Sequence, residues 1–260
     1  NSWTLLINNE KEMYCDKLVI TSGGNSNLYG IVNKLGHTII NPLPSLFSFN
    51  SSDSFLIGLQ GLSHKNVKVN ISGTKYSMEG DILITHSGVS GPVIIKLSSV
   101  AAIYLSEMNY QFTIRINWSG LSKKEEIETL LKDKRDTKIK TNLSNFPLFN
   151  IPIRLWDKIL SISSVDKEKQ ICALSNKDIN LISQLLFDFP VFIKGESPFK
   201  DEFVTCGGID LKEIDFRTME SKIHKNLYFA GEILNIDGLT GGFNFQAAWT
   251  TGYIAAMNLV

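Results

Sequence analysis

Apolar and polar positions change period along this 260-residue chain, and the changes divide it into stretches of different texture. Near the start, Trp3 to Ile7 reads as a strand, followed by a polar turn and a second strand through Leu18, Val19 and Ile20. That second run closes on Thr21-Ser22-Gly23-Gly24, the profile of a buried strand entering a tight turn. Tyr29 to Leu35 suits a short helix stopped by Gly36, because glycine takes a left-handed C-cap without a Cβ penalty. From Pro42 to about Trp118 the texture is β. Val67, Val69 and Ile71 alternate with polar residues, as do Phe112, Ile114 and Ile116. Strands are expected over 54–61, 66–72, 74–78, 80–85, 101–106 and 110–118, and Pro92 suits the first position of a helix.

From Leu121 to Phe189 the period is helical. Ser122 with Glu125 makes a capping-box pattern before Ile127, Leu130 and Leu131, and Pro152 suits the first turn of a helix. Ser175 with Asp178 opens a further helix on which Ile179, Ile182, Leu185 and Leu186 share a face. After Pro190 strands return, over 191–195, 202–210 and 226–231, and a last helix is expected from Phe243 to Met257.

Composition adds limits. A hydrophobic share of 43% and a charged share of 20% suit a soluble globular protein with ample core. Lys+Arg and Asp+Glu balance at 26 each, so charge makes no case for nucleic acid or an anionic membrane, and a small-molecule substrate is expected. Cys15, Cys172 and Cys206 are widely spaced and odd in number, which fits a reducing cytoplasm rather than a disulfide framework. No apolar run approaches the roughly 18 residues of a transmembrane helix. The chain opens at Asn1 inside what reads as a strand, so it is expected to be a piece of something longer.

The candidate chemistry lies in residues 231–256. Leu227 to Ala230 reads as a buried strand of parallel type, with Gly231 and Glu232 at its C-terminal end, where ligands bind in open α/β sheets. Asp237-Gly238 is a turn pair, and Gly241-Gly242 strips side chains from the start of the following helix. Such a helix end presents unpaired N–H groups and about half a positive charge. It suits a phosphate, a carboxylate or the N1–C2=O edge of a reduced flavin, and Glu232 could accept from ribose-like hydroxyls. The alternative is a merely tight strand-to-helix connection, and the same two readings hold for Gly23-Gly24, where a simple turn is the stronger. No G-x-G-x-x-G occurs in the chain. The histidines show no metal spacing, and Pro92 breaks any nucleophile elbow around Ser90. His86 reads as a structural loop histidine or a ligand-facing one, and Cys206 as a buried strand cysteine or one facing a ligand.

Residues 226–256, preceded by "CGGIDLKEIDFRTMESK", resemble the C-terminal segment of the BaiN/YhiN-like flavoproteins, relatives of aminoacetone oxidase. "LVITSGG", "GHTIINPLPSL" and "GDILITHSGVSGPVIIKLSS" are similar to further blocks of that family, in the same order and over essentially the whole chain. The resemblance implies α/β and α+β architecture: the remnant of a two-dinucleotide-binding, Rossmann-like FAD domain carrying a β-barrel-like insert and a helical insert. The corresponding division is 1–43 for the FAD-domain remnant, 44–120 for the β insert, 121–189 for the helical insert and 190–260 for the return. The family's phosphate-gripping βαβ unit would precede Asn1.

Position by position, Thr21, Ser22, Gly23 and Gly24 match the strand end near the dinucleotide, and Gly231 and Glu232 the Gly-Glu near the ribityl chain. Gly241, Gly242, Phe243 and Asn244 match the Gly-Gly-Tyr-Asn at the isoalloxazine edge. Asp237 is retained, Asn235 stands where Asp is frequent, and Gln246 matches a polar residue of the first helical turn. The implied activity is FAD-dependent oxidoreduction by hydride transfer at flavin N5, with NAD(P)H as a candidate co-substrate. The alternatives are a truncated domain unable to hold FAD by itself, and an RNA-modifying flavoprotein, against which the neutral charge balance counts. Nothing in the sequence selects a catalytic acid or base, or an oligomeric state.

Overall fold

The computed structural model describes residues 2–8, 10–195 and 204–259. The chain forms two compact units, Asn1–Leu46 with Phe199–Val260, and Phe47–Pro198. The first unit begins with an antiparallel hairpin of β1 (Trp3–Ile7) and β2 (Lys11–Cys15), followed by β3 (Leu18–Ile20), α1 (Ser26–Lys34) and β4 (Ile39–Ser45). The second strand of the hairpin was not expected, because its apolar positions Met13 and Tyr14 are adjacent and exposed and give no alternation. Asn25 caps α1 by accepting the Asn27 and Leu28 N–H groups, and Gly36 leaves the helix at φ +90°, as its sequence suggests.

The second unit comprises β5 (Phe49–Asn50), β6 (Ser63–Ile71), β7 (Ser77–Ile84), β8 (Gly88–Ser90), α2 (Pro92–Val100), α3 (Ala102–Glu107), β9 (Gln111–Asn117), α4 (Lys124–Asp136), α5 (Ile153–Ser163), α6 (Asn176–Phe187) and β10 (Phe189–Lys194). Its strands make one six-stranded antiparallel sheet in the order β10-β9-β6-β7-β8-β5. The alternation of Val67, Val69, Ile71, Ile114 and Ile116 turns all five inward, where they share one core with Val93 and Leu97 of α2 and with Ile127, Trp156 and Ile182 of α4, α5 and α6. The β-rich and helical stretches are thus one packed body.

Four expectations fail here. Residues 74–78 and 80–85 are not two strands: 74 and 75 lie in a bend, and one strand, β7, runs from Ser77 to Ile84. Residues 54–61 are not a strand: Asp53 accepts the Phe55 N–H and caps a short 3₁₀ turn, and Gly58 and Gly61 take positive φ. Residues 101–106 are helical, because α2 continues almost directly into α3, where Ala102 and Leu105 are buried on one side. Ser122 does not cap α4, whose N-cap is Lys123, whereas Ser175 and Asp178 form the full reciprocal box on α6. The strand expected at 191–195 also belongs to this unit, since β10 ladders with β9 from Phe189 to Lys194.

The first unit resumes with β11 (Val204–Ile209), β12 (Ile214–Asp215), β13 (Glu220–Ser221), β14 (Leu227–Phe229) and α7 (Phe243–Met257). Residues 202 and 203 of the strand expected at 202–210 lie outside the described residues. β11 pairs antiparallel with β4, and β12, β13, β14 and β3 form a four-stranded sheet in that order. Its last pair, β14 with β3, is parallel, with Leu227 opposite Leu18 and Phe229 opposite Ile20. Val32, Ile209, Met219, Leu227, Phe229 and Ile233 close the core of this unit.

Candidate functional site

The parallel register of β3 and β14 brings two separate glycine segments to one place. Thr21–Gly24 and Ala230–Glu232 both leave the C-terminal end of the same strand pair, where open α/β sheets bind ligands. Gly23 takes φ +63°, and a Cβ there would stand 3.6 Å from Glu232 Oε2. A Cβ on Gly24 would stand 2.5 Å from Thr205 Oγ1, so a larger residue there must turn the Thr205 side chain aside. Glu232 Oε1 accepts the Thr205 N–H at 2.8 Å, and its backbone carbonyl accepts the Tyr29 hydroxyl at 3.4 Å. Burial, reinforced by the Glu232 charge, pushes the Tyr29 phenol up to about 12, so it stays a neutral donor. Gly231 donates its N–H to Thr251 Oγ1 at 3.0 Å, which ties the strand end to α7.

α7 begins at Gly242, which takes φ +87° and offers no side-chain cap, so the first-turn N–H groups have no capping partner from that residue. The loop in front is stapled by Asn244: its Oδ1 accepts the Gly238 N–H at 2.7 Å and its Nδ2 donates to the Gly238 carbonyl at 2.9 Å. Between loop, helix end and strand end lies a cavity of about 350 Å³, lined by Gly231, Glu232, Gly241, Gly242 and Asn244 together with apolar Leu46, Val204, Ile236 and Leu239. This is the low end of ligand pockets, about 300 to 1,000 Å³. A Cβ on Gly231 or Gly242 would meet nothing within 4 Å. Neither glycine is therefore required by packing: Gly242 leaves open space at the uncapped start of α7, and Gly231 at the strand end. That is a cradle for a flat or anionic group, and it fits the edge of a flavin.

The remaining expected positions are placed differently. Thr21 and Ser22 line a separate groove with Trp3, Leu28 and Ile31. Phe243 is exposed on α7, and Gln246 Nε2 donates to Thr250 Oγ1 at 3.0 Å on the same helix. Asp237 turns its carboxylate to Ser45 Oγ, at 3.2 Å, and to the Cys206 thiol. Val204, Thr205 and Ser45 were not singled out in the sequence, because what brings them to the site is the β11–β4 ladder. A second polar group is purely internal. His37 bonds Glu213 Oε2 and Ser221 Oγ, each at 3.0 Å, but His37 and Ser221 are buried and Ser221 Oγ also accepts the Ile223 and His224 N–H groups. Among the described residues no His, Cys, Asp and Glu group could hold a metal ion, and no helix is long and apolar enough to cross a membrane.

Known proteins extend this picture. Residues 1–258 match the family described as HI0933-like protein Rossmann domain. The chain is 28% identical over 257 residues to "Ribosomal RNA dihydrouridine synthase" of Escherichia coli K12, covering 95% of this chain and 61% of that protein. The Haemophilus influenzae protein of the same name is 26% identical over 261 residues, covering 96% and 62%. "3-Dehydro-bile acid delta(4,6)-reductase" of Clostridium scindens is 22% identical over 250 residues, covering 92% and 61%. The chain thus spans about three fifths of the length of the relatives it matches.

Two of these names correct the expectation of a small-molecule substrate and no nucleic acid. A whole-chain charge of zero sums over every face and says nothing of any one surface. Bases are moreover held by stacking and by hydrogen bonds to their edges, neither of which needs net charge. Through residues 1–258, the chain belongs to the HI0933-like Rossmann-domain family, that of the BaiN/YhiN and aminoacetone oxidase-like flavoproteins.

Proposed function

We propose that this chain is the flavin-facing portion of an FAD-dependent enzyme that reduces a carbon–carbon double bond conjugated to a carbonyl, in the uracil ring of an RNA. The carrying observation is the cavity at the end of the β3–β14 pair, walled by the side-chain-free start of α7. Read as chemistry, the relatives' names share one reaction. Dihydrouridine is uridine with its ring double bond saturated, and that bond is conjugated to a carbonyl; so are the double bonds of a 3-oxo bile acid carrying unsaturation at positions 4 and 6.

In this reading the N–H groups after Gly242 receive the electron-rich edge of the flavin, which supplies the hydride. Gly231 leaves room for the chain beyond the ring, and Glu232, fixed by Thr205, accepts from its hydroxyls. Gly23 sits beside the Glu232 carboxylate at the same strand end, near where the dinucleotide would pass. The six-stranded sheet and α4–α6 correspond to the family's β and helical inserts, NAD(P)H is the source of electrons, and the unpaired cysteines suit a reducing compartment. One observation favours a second reading, a domain that folds but holds no FAD alone: the chain contains no G-x-G-x-x-G to grip the pyrophosphate.

A visible absorbance scan of the purified chain, before and after FAD addition and desalting, separates the two. Retained flavin bands support the first reading. A colourless protein after desalting supports the second and refutes the first for this chain.

A further inference from the structure

Zero net charge conceals an uneven division. Residues 47–198, the second unit, hold 18 Lys and Arg against 15 Asp and Glu, and the rest of the chain holds 8 against 11. The whole excess of the second unit falls in two stretches, 132–140 and 166–178, with eight cations against five anions. The fold brings these stretches together. Residues 139–144 run antiparallel to 167–172: Ser144 donates its N–H to the Lys167 carbonyl at 2.9 Å, and Leu143 to Lys169 and Cys172 to Ile139, both at 3.0 Å. Arg135 Nη1 donates to Asn176 Oδ1 at 2.8 Å, joining the end of α4 to the start of α6.

The carboxylates of this cluster are mostly engaged, and its ammonium groups are mostly free. Asp178 closes the α6 box and holds Lys169 at 2.8 Å, Asp136 takes Arg135, Asp166 accepts the Glu168 N–H, and Glu168 accepts Asn142. Of the five anions, Asp133 alone makes no side-chain bond among the described residues. Lys134, Lys138, Lys140, Lys167 and Lys177 likewise form neither an ion pair nor a side-chain hydrogen bond among the described residues, and all but Lys134 are exposed. Stability does not account for them. Lys134 suits the negative end of the α4 dipole, but Lys177 stands in the first turn of α6, where a cation is unfavourable. Lys138 takes φ +55° directly behind α4, a conformation that favours glycine or asparagine. Free lysines gathered where folding does not require them match a polyanion. We propose that this end of α4 and α6 holds the phosphodiester backbone of the RNA substrate, by charge and without reading its sequence. This assignment rests on the reading of the chain as acting on RNA.

The test is the fluorescence anisotropy of a labelled, uridine-containing RNA oligonucleotide with the purified chain at about 50 to 300 mM KCl, which needs no flavin. Lys138→Gln, Lys140→Gln, Lys167→Gln and Lys177→Gln, combined in one variant, remove four phosphate partners. At about 0.7 per phosphate of a single strand, the slope of log affinity against log salt should become about 3 shallower. Affinity at about 0.1 M salt should fall at least about tenfold. Lys65→Gln, Lys75→Gln, Lys96→Gln and Lys194→Gln together remove the same charge elsewhere on the unit, and should leave the slope unaltered and the affinity within about threefold. The Lys→Arg variant at the first four positions keeps the charge and should keep the affinity; its failure to do so overturns the proposal. Equal losses in the two glutamine variants, or RNA bound as tightly by the first as by the unsubstituted chain, overturn the proposal and leave the RNA reading standing. Binding to phosphatidylserine vesicles with none to RNA assigns the cluster to a membrane surface and overturns it too. An unsubstituted chain that binds no RNA at about 50 mM salt overturns both the proposal and the RNA reading.

Discussion

Gly242 and Gly36 form a matched pair for testing the site. Their φ angles are +87° and +90°, and a Cβ on either would meet nothing within 4 Å. Valine at either position therefore costs backbone strain without a clash inside the chain, about 1–3 kcal/mol. At the temperature response of a domain this size, that is a fall in Tm of roughly 3–10 °C, and it should be the same for both variants. Only Gly242 borders the cavity, since Gly36 ends α1 away from its lining. If the start of α7 receives the flavin edge, Gly242→Val should weaken FAD binding at least tenfold, about 1.4 kcal/mol, and Gly36→Val should leave it within twofold. Differential scanning fluorimetry gives the first quantity, and flavin fluorescence on titration with the chain gives the second. Equal flavin loss in both variants would show that the effect is strain and not contact. Full retention in Gly242→Val would remove the flavin from the helix end.

Further outcomes follow from the same geometry. His37 and His64 are buried, and burial pushes both below 6.5 despite the bonds to Glu213 and the Trp118 carbonyl. Below 6.5 the unfolded chain binds protons that the folded chain refuses, so stability is full above that pH and falls as pH drops through the window beneath it. A urea midpoint equal at pH 7.5 and pH 5.5 would contradict this. Asn244→Ala removes both bonds to Gly238 and should cost about 1–3 kcal/mol while opening residues 237–242 to limited proteolysis; a wild-type cleavage pattern would refute the staple. Ser175→Ala should lower stability by about 1 kcal/mol through loss of the α6 cap, whereas Ser122→Ala should stay within about 0.5 kcal/mol. Equal urea midpoints for these two serine variants would reverse that assignment.

Local chemistry was legible where a residue acts on its own neighbours. Gly36 behind α1, Pro92 at the start of α2 and the Ser175–Asp178 box each set an element through residues within four positions, whereas the Asn25 cap of α1 emerged only with the structure. The alternation of Val67, Val69 and Ile71 likewise set a sheet face, because side chains on a strand point to opposite sides in turn. The glycines at 241 and 242 marked the bare helix start from sequence alone. Residues 54–61 and 101–106 misled for the converse reason. Short apolar runs are compatible with strand and helix alike, and the Asp53 cap and the packing of α3 decided between them.

What the sequence could not supply was distance between segments. That Gly24 abuts Thr205, that Glu232 is held by the Thr205 N–H, and that Ser45 and Cys206 flank Asp237 depend on β11 pairing with β4 and β14 with β3. Ser45 and Asp237 stand 192 positions apart in the chain. Propensity and capping act over a few residues, so they set the elements and the bare end of α7. Strand register joins residues with no local signal for one another, so only the tertiary structure brought the two glycine loops to one strand end.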